Sequence, residues 1–201
     1  MGTANVSELL DADTTGVNAI LTAFCQEVGI RWILATEVIP WARGTVRELD
    51  VARRLMHFAV TEGQLPKHLD DRLLTVKDPE ILSYSVEELR ELQRQITDPN
   101  FRIFTDESAI TVLNRDLFVT GTSIQEIFDR LGVEEPSHAF YLGKELAKAK
   151  LAVDIGKTYR QEGPLSWGYL TPPEEPLREH VKLTQTSRAS RKRKEDADAS
   201  G

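Results

Sequence analysis

The chain has a single cysteine, Cys25, no long apolar run and no surplus of positive charge. One cysteine excludes an internal disulfide and fits a reducing compartment. Without about 18 consecutive apolar residues there is no candidate membrane-spanning helix. The opening residues, MGTANVSELLDADTTG, lack the basic start and apolar centre of a secretion signal. The expected location is therefore the cytoplasm, with no membrane partner. A formal net charge of −7 argues against nucleic acid as the main partner. His57, His68, His138 and His180 show no ligand spacing, and Asp11, Asp13 and Thr14 read as a helix cap, so no metal site is expected. What remains is an ordinary soluble composition: 201 residues, 40% hydrophobic and 28% charged, enough for a sizeable core.

The stretch Gly29 to Phe58 organises the first part of the chain. Trp32 to Val38 reads as a buried strand, apolar at its start and polar at its end, where Thr36 and Glu37 stand. In sheets covered by helices on both faces, ligands sit beyond the carboxyl ends of the strands. A loop with Trp41, Arg43 and Gly44 follows, then a helix from about Arg47 with Leu49, Ala52, Leu55, Met56 and Ala59 on one stripe. Before the strand, Val17, Ile20, Leu21, Phe24 and Val28 mark another amphipathic helix, closed by Gly29. Cys25 lies beside that stripe and reads as a buried, inert thiol. This helix, strand, loop and helix order is that of an α/β fold with parallel strands. Two such units cannot close a sheet by themselves, and unpaired strand edges must be covered.

The residues GTANVSELLDADTTGVNAILTAFCQEVGIRWILATEV, continuing into WARGTVRELDVARRLM, resemble the closing two βα units of dihydropteroate synthase-like proteins. They are most similar to the divergent branch of microbes with methanopterin-linked one-carbon metabolism. The resemblance implies a (β/α)8 barrel that joins a pterin pyrophosphate to an arylamine in folate or methanopterin biosynthesis, a transferase reaction. Magnesium enters only as a companion of the pyrophosphate, since no ligand set in this sequence supports it. The family's seventh-strand motif Gly-x-Ser-Arg-Lys-Ser falls on Gly2 to Ser7, where the lysine position holds Val6. The eighth-strand motif Arg-Val-His-Asp-Val falls on Leu34 to Val38, keeping only the acidic position and the last valine in type. Matching that motif to Arg47 and Asp50 instead is rejected, because the segment has a helical apolar stripe. The implied pterin- or pyrophosphate-binding residues are Asn5, Ser7, Thr36, Glu37, Arg43 and Arg47; catalytic residues are unassigned. Arg43 and Arg47, where the loop meets a helix N-terminus, are the expected anion contacts in place of the missing strand arginine. The plainer reading pairs Arg47 with Glu48 or Asp50 at the surface.

Gln64 to Tyr84 reads as irregular, punctuated by Pro66 and Pro79. Ser85 and Glu88 form a capping box, and Ser123 and Glu126 form another. Between them, 101–104, 109–113 and 117–120 read as short strands, the last two joined by a turn at Asn114, Arg115 and Asp116. Ser137 is expected to cap the longest helix, through about Ile155, with Phe140, Leu142, Leu146, Ala149 and Val153 inward and lysines 144, 148 and 150 mostly solvated. The stretch from Phe140 to Leu170 also resembles the extension that follows the barrel in the divergent branch. Residues 171–201 are expected to be a disordered polar tail, with a short basic cluster at Arg191 to Lys194.

The expected architecture is α/β: the last two βα units of a (β/α)8 TIM-type barrel over 1–60, plus a small α+β appendage over 61–170. Lacking the other strands, the chain reads as a fragment or as one subunit of a split enzyme, completed by a partner chain carrying them. The alternative is a non-catalytic binding or interaction module.

Overall fold

The computed structural model describes residues 1–171; the expected tail lies, from Pro172 onward, outside the described residues. A short helical turn, α1 (Ala4–Ser7), is followed by α2 (Thr14–Glu27) and α3 (Thr45–Glu62). Gly29 at φ +70° and Gly63 at φ +63° stop α2 and α3, because only glycine adopts that backbone without strain. The two helices pack against one another.

The face that α2 buries is not the apolar one. Thr14, Asn18, Thr22 and Cys25 are buried, at helical spacing, whereas Ile20 is 72% exposed and Phe24 and Val28 are more than half exposed. The helix therefore has two usable faces, the small polar one against α3 and an apolar one uncovered in this chain.

The expected strand at 32–38 is also corrected. It forms a single parallel bridge, Gly2 to Leu34, in which the Leu34 amide donates to the Met1 carbonyl at 2.8 Å and the Thr3 amide to the Leu34 carbonyl at 2.9 Å. Trp32 and Leu34 are 86% and 70% exposed. The cause is non-local. A parallel strand is held by neighbours on both edges and helices on both faces, and three residues of one neighbour supply little of either. No barrel forms among the described residues, whose fold is mixed α and β.

Residues 64–85 contain neither helix nor strand. Then come α4 (Val86–Gln95), strands β1 (Arg102–Thr105), β2 (Ile110–Leu113) and β3 (Phe118–Gly121), α5 (Ile124–Leu131) and α6 (Pro136–Ile155). Ser85 and Glu88 make the reciprocal capping box at α4, and the Ser123 side chain accepts from the Glu126 amide at α5. The strands form an antiparallel meander in the order β1-β2-β3. Asn114 sets the second turn, its Oδ1 accepting from the amides of Asp116 and Leu117 at 2.9 and 2.8 Å.

All four residues of the central strand β2 are buried, while β1 alternates and β3 buries only Val119. Both faces of β2 are covered. Ile110 and Val112 join Ile127, Leu142 and Leu146 of α5 and α6 in one cluster, and Leu113 joins Leu89 of α4 in another. Two expectations at α6 change. Glu135, not Ser137, is its cap, accepting from the amides of Ser137 and His138, with Pro136 at the first helical position. Phe140 is 77% exposed, although Leu142, Leu146 and Ala149 are buried as expected. Among the described residues no helix is long and apolar enough to cross a membrane.

The packing predicts a contrast along one helix. In urea titrations Leu142→Ala should cost about 2–5 kcal/mol of stability, and Phe140→Ala at most about 0.5 kcal/mol. Equal losses would show that the inward face of α6 has been misplaced.

Candidate functional site

Of the predicted binding residues, Asn5 and Ser7 lie on α1, Thr36, Glu37 and Arg43 in the segment before α3, and Arg47 in the first turn of α3. Asn5 is exposed on α1 and joined to none of the others by a hydrogen bond among the described residues. Ser7 is buried and donates its hydroxyl to the Thr3 carbonyl at 3.2 Å, which stabilises the turn rather than presenting a ligand group. Thr36 donates to Glu8 Oε1 at 2.6 Å, and the Val38 amide donates to the same oxygen at 3.0 Å. These two bonds, the Thr36 hydroxyl first, hold the Glu8 carboxyl below its ordinary value. Trp41 Nε1 donates to the Ser7 carbonyl at 3.2 Å, tying loop to turn.

Glu37 sits over the N-terminus of α3 and accepts from the Val46 amide at 3.0 Å. The amides of Val46 and then Gly44 lower its pKa, burial opposes them, and the charges of Arg47 and Arg43 add a little. One of the free amides that an anion would seek at this helix start, that of Val46, is thus engaged by the chain's own carboxylate. Arg43 and Arg47 are both exposed. Neither guanidinium joins an ion pair or a hydrogen bond among the described residues. Asp50 is taken by Arg53 and Arg54, each at 2.6 Å, so the surface pairing considered for Arg47 does not form.

Glu48, which sequence reading placed on an outer face, is 1% exposed and holds the region together. Its Oε1 accepts from Thr14 Oγ1 at 3.0 Å, Thr15 Oγ1 at 3.1 Å and Tyr169 Oη at 2.5 Å. Its Oε2 accepts from Asn18 Nδ2 at 2.6 Å. Burial, then the bond to Glu48, pushes the Tyr169 phenol well above its usual range. The signal was available. Glu48 shares the helical stripe of Leu49, Ala52 and Leu55, and Thr14 and Asn18 form a polar stripe on the helix that faces it.

A second buried carboxylate, Glu145 of α6, is met by a cation. Lys148 Nζ lies 2.7 Å from it, Tyr159 donates at 2.7 Å and the Glu162 amide at 3.0 Å. Lys148 is consequently half-enclosed, not solvated. Nearby, buried Lys157 reaches Asp78 at 3.3 Å and lies over the Trp167 ring, 4.7 Å from its centroid. A cleft of about 500 Å³ between 71–82 and 158–166 is lined by Asp78, Glu80, Thr158 and Arg160, among others, and by none of the six predicted residues. Among the described residues no cluster of three or more His, Cys, Asp or Glu could hold a metal ion.

Residues 100–162 match a family model described as PterinBD-DUF4346. The chain is 35% identical over 182 residues to an uncharacterized protein of Methanocaldococcus jannaschii, MJ0107. That match covers 80% of this chain and 35% of the relative, so the chain spans about a third of the length of the curated protein it matches. No solved structure matches. By its description the family model supports a pterin-related binding function. The segment it matches is the meander with α5 and α6, whereas the predicted contacts lie in residues 5–47.

The Glu145 cluster predicts an acid-sensitive fold. Burial alone would raise its pKa, but the Lys148, Tyr159 and Glu162 contacts outweigh burial and bring it below the ordinary 4.5. A carboxyl with a depressed folded pKa stabilises fully above its unfolded value, and that stability fades as pH falls through the folded value. Urea stability of the wild type should decline below about pH 4.5. Glu145→Gln should be less stable at pH 7 and show a flatter acid limb; identical pH slopes would rule out this assignment.

Proposed function

We propose that the chain is the pterin-binding part of a dihydropteroate synthase-like protein, which links a pterin pyrophosphate to an arylamine with release of pyrophosphate. The observation that carries this reading is the match of residues 100–162 to a pterin-binding family, in a chain whose residues 1–60 independently resemble the end of a pterin-binding barrel. Arg43 and Arg47 are the proposed pyrophosphate contacts. Both are exposed, and no carboxylate among the described residues neutralises them by direct contact. Because Glu37 engages the start of α3, binding would rest on the guanidinium groups, each charge-assisted hydrogen bond being worth about 1.5–3 kcal/mol. Asn5, Thr36 and Glu37 are assigned to the pterin side of the same loop cluster, and Ser7 supports it through the α1 turn.

The uncovered apolar side chains Ile20, Phe24, Val28, Trp32 and Leu34 fit a barrel completed by further βα units, supplied by a partner chain or by additional sequence. In this proposal transferase activity belongs to the completed assembly, in the cytoplasm, and any magnesium arrives with the pyrophosphate. A second reading has one observation in its favour. The family match lies on the appendage and not on the loop cluster, as expected if 100–162 is itself a non-catalytic binding module.

Calorimetric titration of the full chain with pterin pyrophosphate separates these readings. Arg43→Ala and Arg47→Ala should each weaken binding by about tenfold or more, as the loss of one charge-assisted bond requires. Unchanged affinity in both variants would remove the arginines from the site and favour the binding module.

A further inference from the structure

We propose that the C-terminal turn Gly168–Leu170 is a latch that fixes the loop carrying Arg43 and Arg47, with Tyr169 as its positioning residue. The anion-binding consequence rests on the reading of those arginines given above; the latch itself stands on separate contacts. Gly168, at φ +57°, is pressed so closely against residues 72–74 that an added Cβ would lie 2.4 Å from the Arg72 carbonyl oxygen. The Tyr169 amide donates to that same carbonyl at 2.9 Å. The turn is thus clamped to the irregular segment after α3, and its tyrosine is aimed back at the start of α3.

Two contacts are made there. The ring covers Gly44, where a Cβ would come within 2.7 Å of Tyr169, and the hydroxyl donates to Glu48 at 2.5 Å. Gly44 is the hinge between the two arginines. It stands at φ +96°, a backbone state that favours glycine, and its carbonyl accepts the Glu48 amide at 3.0 Å. Through Gly44 and Glu48 the tyrosine sets the path of the chain from Arg43 into the first turn of α3, where Arg47 stands. The latch supplies a role for the extension: it orders the arginines before a ligand arrives, so that less side-chain freedom is lost on binding.

The test uses the full chain, inorganic pyrophosphate as probe, and amide hydrogen exchange at Val46 and Glu48. Tyr169→Ala should weaken pyrophosphate binding by about tenfold, the loss expected when two long side chains must be ordered anew. It should also speed exchange at those two amides while leaving β2 amides protected. Tyr169→Phe keeps the ring over Gly44 and should restore a large part of both properties. Unaltered exchange at Val46 and Glu48 in Tyr169→Ala would overturn the latch. Faster exchange with unchanged affinity, where Arg43→Ala and Arg47→Ala do weaken binding, would overturn the positioning role. If pyrophosphate does not bind, or binds independently of both arginines, the anion reading fails; the exchange result then decides the latch by itself.

Discussion

A buried carboxylate, Glu48, joins parts of the chain that are distant in sequence. Removing such a group from water costs several kcal/mol, which only a nearly complete set of donors can offset. Here the donors come from both ends of the described chain: Thr14, Thr15 and Asn18 from α2, and Tyr169 from the C-terminal turn. All four are neutral, so the carboxyl oxygens are met by hydrogen-bond donors and by no cation among the described residues, and each donor is held where Glu48 requires it. Glu145 solves the same problem with a lysine. Because Glu48 opens α3, the start of that helix, the loop before it and the end of the extension are constrained together.

This constraint shapes the functional reading. The segment leading into α3 is tied down by Thr36 to Glu8, Glu37 to Val46 and Trp41 to Ser7, with Arg43 exposed on it and Arg47 exposed on the first turn of α3. A tied-down segment bearing two arginines without ion-pair partners among the described residues suits a phosphorylated ligand, and a pterin-related family match in the same chain suits that ligand's other half. The uncovered apolar face of α2 and the single parallel bridge describe a structure that has further surface to bury. The two facts agree if the loop is one wall of a larger pocket.

What was legible in the sequence was local. Ser85 with Glu88 and the turn at Asn114 depend on residues within about one helical turn of each other and form as read, while at α5 only the Ser123 half of the expected box forms, its side chain accepting from the Glu126 amide. The meander strands were legible as short, largely apolar runs on either side of the turn residues Asn114, Arg115 and Asp116. The misses are non-local. The period of Ile20, Phe24 and Val28 marks a face but says nothing of what covers it, and in this chain Thr14, Asn18 and Cys25 are buried instead. Strand 32–38 depends on partners that pattern cannot supply. The candidate arginines were visible at the loop and the helix start, and Glu48 on the buried stripe of α3; that Glu48 meets Tyr169, 121 residues away, was not, since neither shows in its own neighbourhood that it meets the other.

The central claim is that a pterin pyrophosphate contacts the 36–47 loop. Backbone amide chemical shifts of the full chain, followed during titration with pterin pyrophosphate, test it most directly. The account predicts saturable shifts concentrated at Thr36, Glu37, Arg43, Gly44 and Arg47, with smaller ones at Tyr169. Saturable shifts confined to residues 100–162, or none along the loop, would contradict it.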